Sequence, residues 1–174
     1  TNYCSKPGYS EQMSDRTADD LPKLDAVDRR LLAALEADGR ASVSHLAERC
    51  HVSRATAYAR LERLQASGVI LGFTTRIDHQ RAGLGITAIV NVTMQQKSWR
   101  HALAEMAELP GVAMVAATTG DDDVVLLVRA PDLTALRDVI LERLQNLDEV
   151  RSTRSVIVLE EHWPQLLAKT FTPG

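Results

Sequence analysis

The chain has 174 residues, 45% apolar and 25% charged, with a net charge of −3, a globular mixture long enough for one domain or two small ones. No apolar run approaches the roughly 18 residues that span a bilayer, and no basic segment leads into an apolar run of the secretory kind, so no membrane partner is expected. Two cysteines, Cys4 and Cys50, sit in unlike contexts, which argues against a disulfide framework and for a reducing, cytoplasmic location.

Charge is distributed unevenly. Residues 25–82 carry nine Lys/Arg against seven Asp/Glu, all nine cations being arginine, whereas 83–174 carry eight against twelve. A mildly basic first half and an acidic second half permit two domains with different partners.

Residues 1–23 are polar, hold Pro7, Gly8 and Pro22, and show no period; a disordered tail is expected. The pattern then becomes helical. Asp25 is placed to cap a helix whose third position is Asp28. Val27, Leu31, Ala34 and Leu35 form its stripe, and Gly39 is expected to end it. A second helix follows Ser42, with Val43, Leu46, Ala47 and Cys50 on one face. A third follows Ser53, with Ala57, Leu61 and Leu64 inward and Gly68 after it. Three short helices, each with one apolar stripe, make a trihelical core.

The stretch "ERCHVSRATAYARL" decides the chemistry. Cys50 and His51 are adjacent and project differently. No CxxC or HxxxH completes a zinc site, and a neighbouring His rarely reaches a Cys as its base. Cys50 on the apolar stripe reads as a small buried hydrophobe. Only His51 and Val52 separate Cys50 from the Ser53 cap, which is the link of a helix-turn-helix. The bend asks for positive φ, which His tolerates at some strain, with a phosphate contact as a secondary role. Outward on the third helix lie Ser53, Arg54, Ala55, Thr56, Tyr58, Ala59, Arg60 and Arg63. Small residues amid polar ones allow close approach to a surface. That pattern fits the DNA major groove, with Arg54 and Tyr58 at base edges and Arg60 and Arg63 at phosphates.

After Gly68 the period falls to two. "VILGFTTRIDHQRAG" reads as a short hairpin, a wing. From 86 onward the order is strand "ITAIVNVTMQ", helix "WRHALAEMAELPG", strands "VAMVAATTG" and "VVLLVRA", helix "DLTALRDVILERLQNL" and strand "VRSTRSVIVLEE". This is the β-α-β-β-α-β order of a ferredoxin-like module. The expected fold class is α+β: an N-terminal winged helix-turn-helix followed by a ferredoxin-like βαββαβ domain. The expected divisions are a tail at 1–23, a DNA-binding domain with its linker hairpin at 24–82, the ferredoxin-like domain at 83–163 and a C-terminal tail at 164–174.

"LDAVDRRLLAALEADGRAS", "LAERCHVSRATAYARLERLQASGVILGF", "TTGDDD" and "VIVLEE" in this order resemble the Lrp/AsnC (leucine-responsive and asparagine-responsive, feast/famine) family of transcription regulators. The resemblance spans about residues 24–165. It implies double-stranded DNA with a pseudo-palindromic operator as one partner. It also implies a C-terminal module of the RAM type that forms homodimers and higher oligomers such as octamers, and that binds a small-molecule effector, an amino acid. Two positions depart from the family: His51 stands where Gly is common, and "GDDDVV" has Asp122 and Val124 where a larger residue is common.

On its own chemistry the loop "TTGDDD" has three readings: an acidic hairpin turn, a ligand site, or a metal site, for which two carboxylates are too few. The resemblance favours the ligand. The expected effector contacts are Thr118, Gly120, Asp121 and Asp123, with Thr153 and Ser155 from a neighbouring strand. Asp121 or Asp123 would take an α-ammonium and backbone amides a carboxylate. No cofactor and no metal are expected. The competing readings are a small cytoplasmic enzyme using the 120–123 loop with His101 or His162, and an assembly module without DNA binding. No nucleophile–base pair supports the enzyme.

Overall fold

The computed structural model describes residues 22–95 and 99–171. The expected tail lies outside the described residues except for Pro22 and Lys23. The chain forms two compact units. One runs to Arg76 and takes in the segment from Trp163 onward; the other is Ile77–His162.

The first unit begins with α1 (Ala26–Ala37), α2 (Val43–Cys50) and α3 (Arg54–Ala66). Each starts at its expected cap. The Asp25 carboxylate accepts from the amides of Val27 and Asp28, both at 2.9 Å, and Asp28 returns the bond to the Asp25 amide at 3.0 Å. This is a reciprocal capping box with Asp in both roles. Ser42 accepts from the His45 amide and Ser53 from the Thr56 amide. Leu31, Ala34, Leu46, Ala47, Cys50 and Ala57 are buried together, with Val27 and Leu61 packed at their edge. α1 closes at Asp38, whose side chain takes the Arg40 amide, so Gly39 lies inside the turn rather than capping the helix.

The second and third helices end in the same motif. After α2 the His51 amide bonds to the Glu48 carbonyl and the Val52 amide to the Ala47 carbonyl. After α3 the Gly68 amide bonds to Gln65 and the Val69 amide to Leu64. Both are Schellman closures. The left-handed residue is His51 at φ 54° in one and Gly68 at φ 72° in the other.

The expected wing is not formed. Residues 71–78 have neither helix nor strand pairing, and turns occupy 79–83. Leu71, Phe73 and Ile77 are exposed. The alternation is real, but a strand needs a partner for its amides, and the described residues of this chain supply none. A short helix not expected from sequence, α6 (Leu166–Phe171), packs on α1, with Glu36 accepting the amides of Leu166 and Leu167 at 3.1 and 2.7 Å.

The second unit is a four-stranded antiparallel sheet in the order β2-β3-β1-β4, from β1 (Ile86–Met94), β2 (Val112–Ala117), β3 (Val124–Ala130) and β4 (Val150–Ile157). The helices α4 (Trp99–Ala107) and α5 (Leu133–Arg137) cover one face. There Ala102, Met106, Leu136 and Ile140 pack on Val90, Val92, Leu126 and Val128. α5 was expected to be one long helix. It continues instead as a π-helical turn at Asp138–Arg143 and a 3-10 turn at Leu144–Asn146. The Asn146 side-chain amide donates to the Glu142 carbonyl at 2.6 Å. That carbonyl would accept the Asn146 backbone amide in a regular helix, so the side chain competes with the ladder.

The other sheet face is open. Ile89, Met114 and Val156 are exposed there, and Val125 and Leu127 are half-buried. At its margin Arg129 is buried. It pairs with both carboxylate oxygens of Glu161, at 2.8 and 3.0 Å, and donates to Thr87.

Candidate nucleic-acid interface and effector loop

The two-residue link between α2 and Ser53 sets α3 against α1 and α2 through Ala57, Leu61 and Leu64. This leaves Ser53, Arg54, Ala55, Thr56, Tyr58 and Ala59 exposed on the opposite side. The Ser53 and Thr56 hydroxyls lie 2.9 Å apart, so the cap also orients Thr56. Tyr58 is 56% exposed. The nearby Glu62 carboxylate holds the pKa of its hydroxyl above the ordinary phenol value. Arg54 has no partner among the described residues.

Arg60 and Arg63, expected at phosphates, turn instead toward α1. Arg60 pairs with Asp25 and, at 3.1 Å, with Asp28; Arg63 pairs with Asp28 at 2.5 Å. Asp28 has no exposed surface. Burial pushes its carboxyl up. The hydrogen bonds from Arg63, the Asp25 amide and Arg60 outweigh that, and the result lies below the usual carboxylate range. Asp25 is pulled down to about 2 by the Asp28 amide first and Arg60 second. Sequence reasoning missed this network, although two acids at one cap and two arginines one turn apart were its visible half.

Cys50 is 1% exposed. Burial pushes its thiol up, and Arg30 and Arg49 offset this only in part. The Arg30 guanidinium donates to the Cys50 carbonyl at 3.3 Å. Among the described residues no group of three or more His, Cys, Asp or Glu is placed to hold a metal.

In the second unit the β2–β3 loop brings Thr118, Gly120, Asp121 and Asp123 together. Thr118 donates its amide to the Asp123 carbonyl and its hydroxyl to the Asp122 carbonyl. Asp123 is engaged: its amide bonds to Val92, and its carboxylate accepts the Met94 amide at 2.7 Å where β1 is irregular. Asp122 pairs with Arg154 of β4 at 2.8 Å. Asp121 is exposed and has no partner among the described residues. Gly120 sits at φ 136°, with nothing within 4 Å of where a Cβ would stand.

Thr153 and Ser155 do not join this loop. Their register partners are Val92 and Val90, which face the helices, and Thr153 accepts from Gln145 on that side at 2.8 Å. Alternation puts Arg154 on the other face, toward Asp122.

A trihelical helix-turn-helix followed by a ferredoxin-like module is the layout of a DNA-binding regulator with a second, separate module. Comparison with known proteins agrees. Residues 24–65 match the AsnC-type helix-turn-helix domain, and residues 87–166 match the Lrp/AsnC ligand binding domain. The regulator AldR of Mycolicibacterium smegmatis is 37% identical over 140 residues, 79% of this chain and 82% of AldR. A feast or famine regulatory protein of Mycobacterium tuberculosis, solved with L-methionine, superposes with a TM-score of 0.74 at 34% identity, covering 82% of this chain and 96% of that one. A transcriptional regulator of Neisseria meningitidis, also solved with L-methionine, gives 0.77 at 26% identity over 83% and 96%. The chain belongs to the Lrp/AsnC family of transcriptional regulators and is a ligand-modulated, DNA-binding member of it. No helix among the described residues is long and apolar enough to cross a membrane.

Proposed function

We propose that this chain is a cytoplasmic, non-enzymatic transcription regulator that reads a pseudo-palindromic operator through α3 and responds to an amino acid. The observation that carries the DNA reading is the exposed face of Ser53, Arg54, Ala55, Thr56, Tyr58 and Ala59, where Arg54 is unpaired among the described residues while the other two arginines of α3 are tied to α1. Ser53, Arg54, Ala55, Thr56, Tyr58 and Ala59 are the contacts, with Arg54 at a base edge. A homodimer would present two such helices about 34 Å apart. The open sheet face, with Ile89, Met114, Val125, Leu127 and Val156, supports self-association of the second unit, and higher oligomers such as octamers follow the family. His101 and His162 lie at the surface beside Glu105 and Glu160, which offers a catalytic reading no nucleophile.

The effector is an α-amino acid held at the 118–123 loop. Relatives solved with L-methionine support that class. Asp121 is the ammonium partner, because Asp123 is spent on the Met94 amide. The carboxylate would sit on loop amides near Gly120. Bound effector shifts DNA affinity by a coupling of about 1–3 kcal/mol.

The test is selection of duplexes from a random-sequence pool by the wild-type protein, followed by Arg54→Ala. The variant should lose about 1–3 kcal/mol on the selected duplex and relax its preference. Unchanged affinity and preference would remove α3 as the reader. A thermal-shift screen of the twenty amino acids identifies the effector, since a ligand of the folded state alone raises stability. No shift with any of them would exclude the amino-acid reading.

A further inference from the structure

We infer that Asp28 is the positioning residue of the DNA-reading helix, and that Arg60 and Arg63 are its tethers rather than phosphate contacts. The inference rests on the reading of α3 proposed above.

The geometry is a closed, neutral network. Asp28 Oδ1 accepts from Arg60, and Oδ2 accepts from Arg63 and from the Asp25 amide. Asp25 Oδ1 takes two first-turn amides, and its Oδ2 takes Arg60. Two carboxylates thus meet two guanidiniums at the positive end of α1, where the helix dipole favours the acids. Arg60 and Arg63 are one turn apart, so both reach from one side of α3.

The apolar seam of α3 is narrow: Ala57 and Leu64 are fully buried and Leu61 packs at the edge, and an alanine in a seam resists rolling less than a larger side chain because it interdigitates little. A charged network with fixed donor directions adds resistance, anchored on its one buried member, Asp28, while the Arg60 and Arg63 side chains stay 31% and 49% exposed; fixing registry is the best-attested use of a buried charged partner. The lever is short. Arg54 lies six residues before Arg60, about 9 Å along the axis. A roll of about 20° moves a side chain 5–6 Å from that axis by about 2 Å. Base contacts tolerate roughly 0.5 Å. Loss of the tether therefore removes sequence reading before it removes attraction to DNA.

The experiment compares Asp28→Asn, Arg60→Ala and Arg63→Ala with wild type, using the full chain. The probes are a duplex selected by the wild-type protein from a random pool and a random-sequence duplex of equal length, each titrated over a salt series. Circular dichroism fixes the folded fraction. Asp28→Asn and Arg63→Ala should weaken binding to the selected duplex about 10-fold or more. The random duplex should change by less than about 3-fold, and the salt slope for both arginine variants should stay that of wild type. A role in stability alone would lower both affinities equally and leave their ratio unchanged, which would overturn the inference. A slope reduced by about one unit for Arg63→Ala, with equal loss on both duplexes, would also overturn it by putting Arg63 on a phosphate. Should Asp28→Asn not fold, Arg63→Ala decides alone, because Asp28 keeps Arg60. Failure of the wild-type protein to select any duplex would sink the reading of α3 itself, and this inference with it. Selection by wild type with unchanged ratios in the variants would sink only the inference.

Discussion

His51→Gly is the sharpest test of how α2 is joined to α3. His51 holds φ 54° and ψ 49°, a conformation that costs an ordinary L-residue about 1–2 kcal/mol, with His toward the low end. Its side chain is exposed and makes no hydrogen bond among the described residues, so truncation loses no side-chain hydrogen bond there. Glycine removes the strain but adds unfolded-state entropy worth about 0.4–1 kcal/mol. The net expectation is between neutral and about 1 kcal/mol stabilising. On a unit of this size that is a rise of up to about 4–8 °C in melting temperature. The molecule contains its own control. Gly68 closes α3 with the same bonds at φ 72°, and nothing lies within 4 Å of where its Cβ would be. Gly68→Ala should therefore lose about 1 kcal/mol from backbone strain alone. His51→Val, β-branched in the left-handed region, should lose more than that. Thermal melts of the full chain followed at 222 nm, with hydrogen exchange at the α2 and α3 amides, measure all three. A fall of more than about 4 °C for His51→Gly would refute the reasoning and require an energetic role for the imidazole.

Acid should loosen the first unit over a defined window. Asp25 and Asp28 have folded pKa values below their unfolded ones, so their contribution is full above about pH 4 and is lost as pH falls toward 2. Asp25→Asn should flatten that limb of a melting-temperature profile, and an unchanged limb would discount the pair. In the loop, Asp121→Ala should abolish the ligand-induced thermal shift with the apo melt unmoved, whereas Asp123→Ala should cost about 0.5–1.5 kcal/mol without ligand by freeing the Met94 amide. The reverse pattern in calorimetry and melts would exchange their roles. Gly111→Ala should destabilise the sheet by roughly 2–5 kcal/mol, combining strain and overpacking, because its Cβ would stand 2.2 Å from the Arg129 carbonyl at φ 80°. A normal denaturation midpoint would contradict that geometry.

Local chemistry made much of this molecule legible from the chain alone. A cap acts on amides two or three residues away, so Asp25, Ser42 and Ser53 announced their helices. The two-residue link after Cys50 required a bend, and the structure bends at His51 in the left-handed region. Period-two and period-3.6 runs in the second half were enough for the ferredoxin-like order of elements. What only the tertiary structure decided are choices of partner. Val69, Leu71 and Phe73 alternate like a strand, yet pairing needs a neighbour that alternation cannot supply. Arg60 and Arg63 look like phosphate ligands on a helix surface, but their partners lie 32–35 residues earlier and come into reach only when α1 packs on α3. Asp123 looks free in "GDDD", and only the end of β1 gives its carboxylate an amide to hold. Thr153 reads as an effector contact from a neighbouring strand, but the register of β4 on β1 turns it to the helices. Backbone preference is set within a turn or so of each residue, whereas the occupation of a charge is set by whatever the fold brings within 3 Å of it.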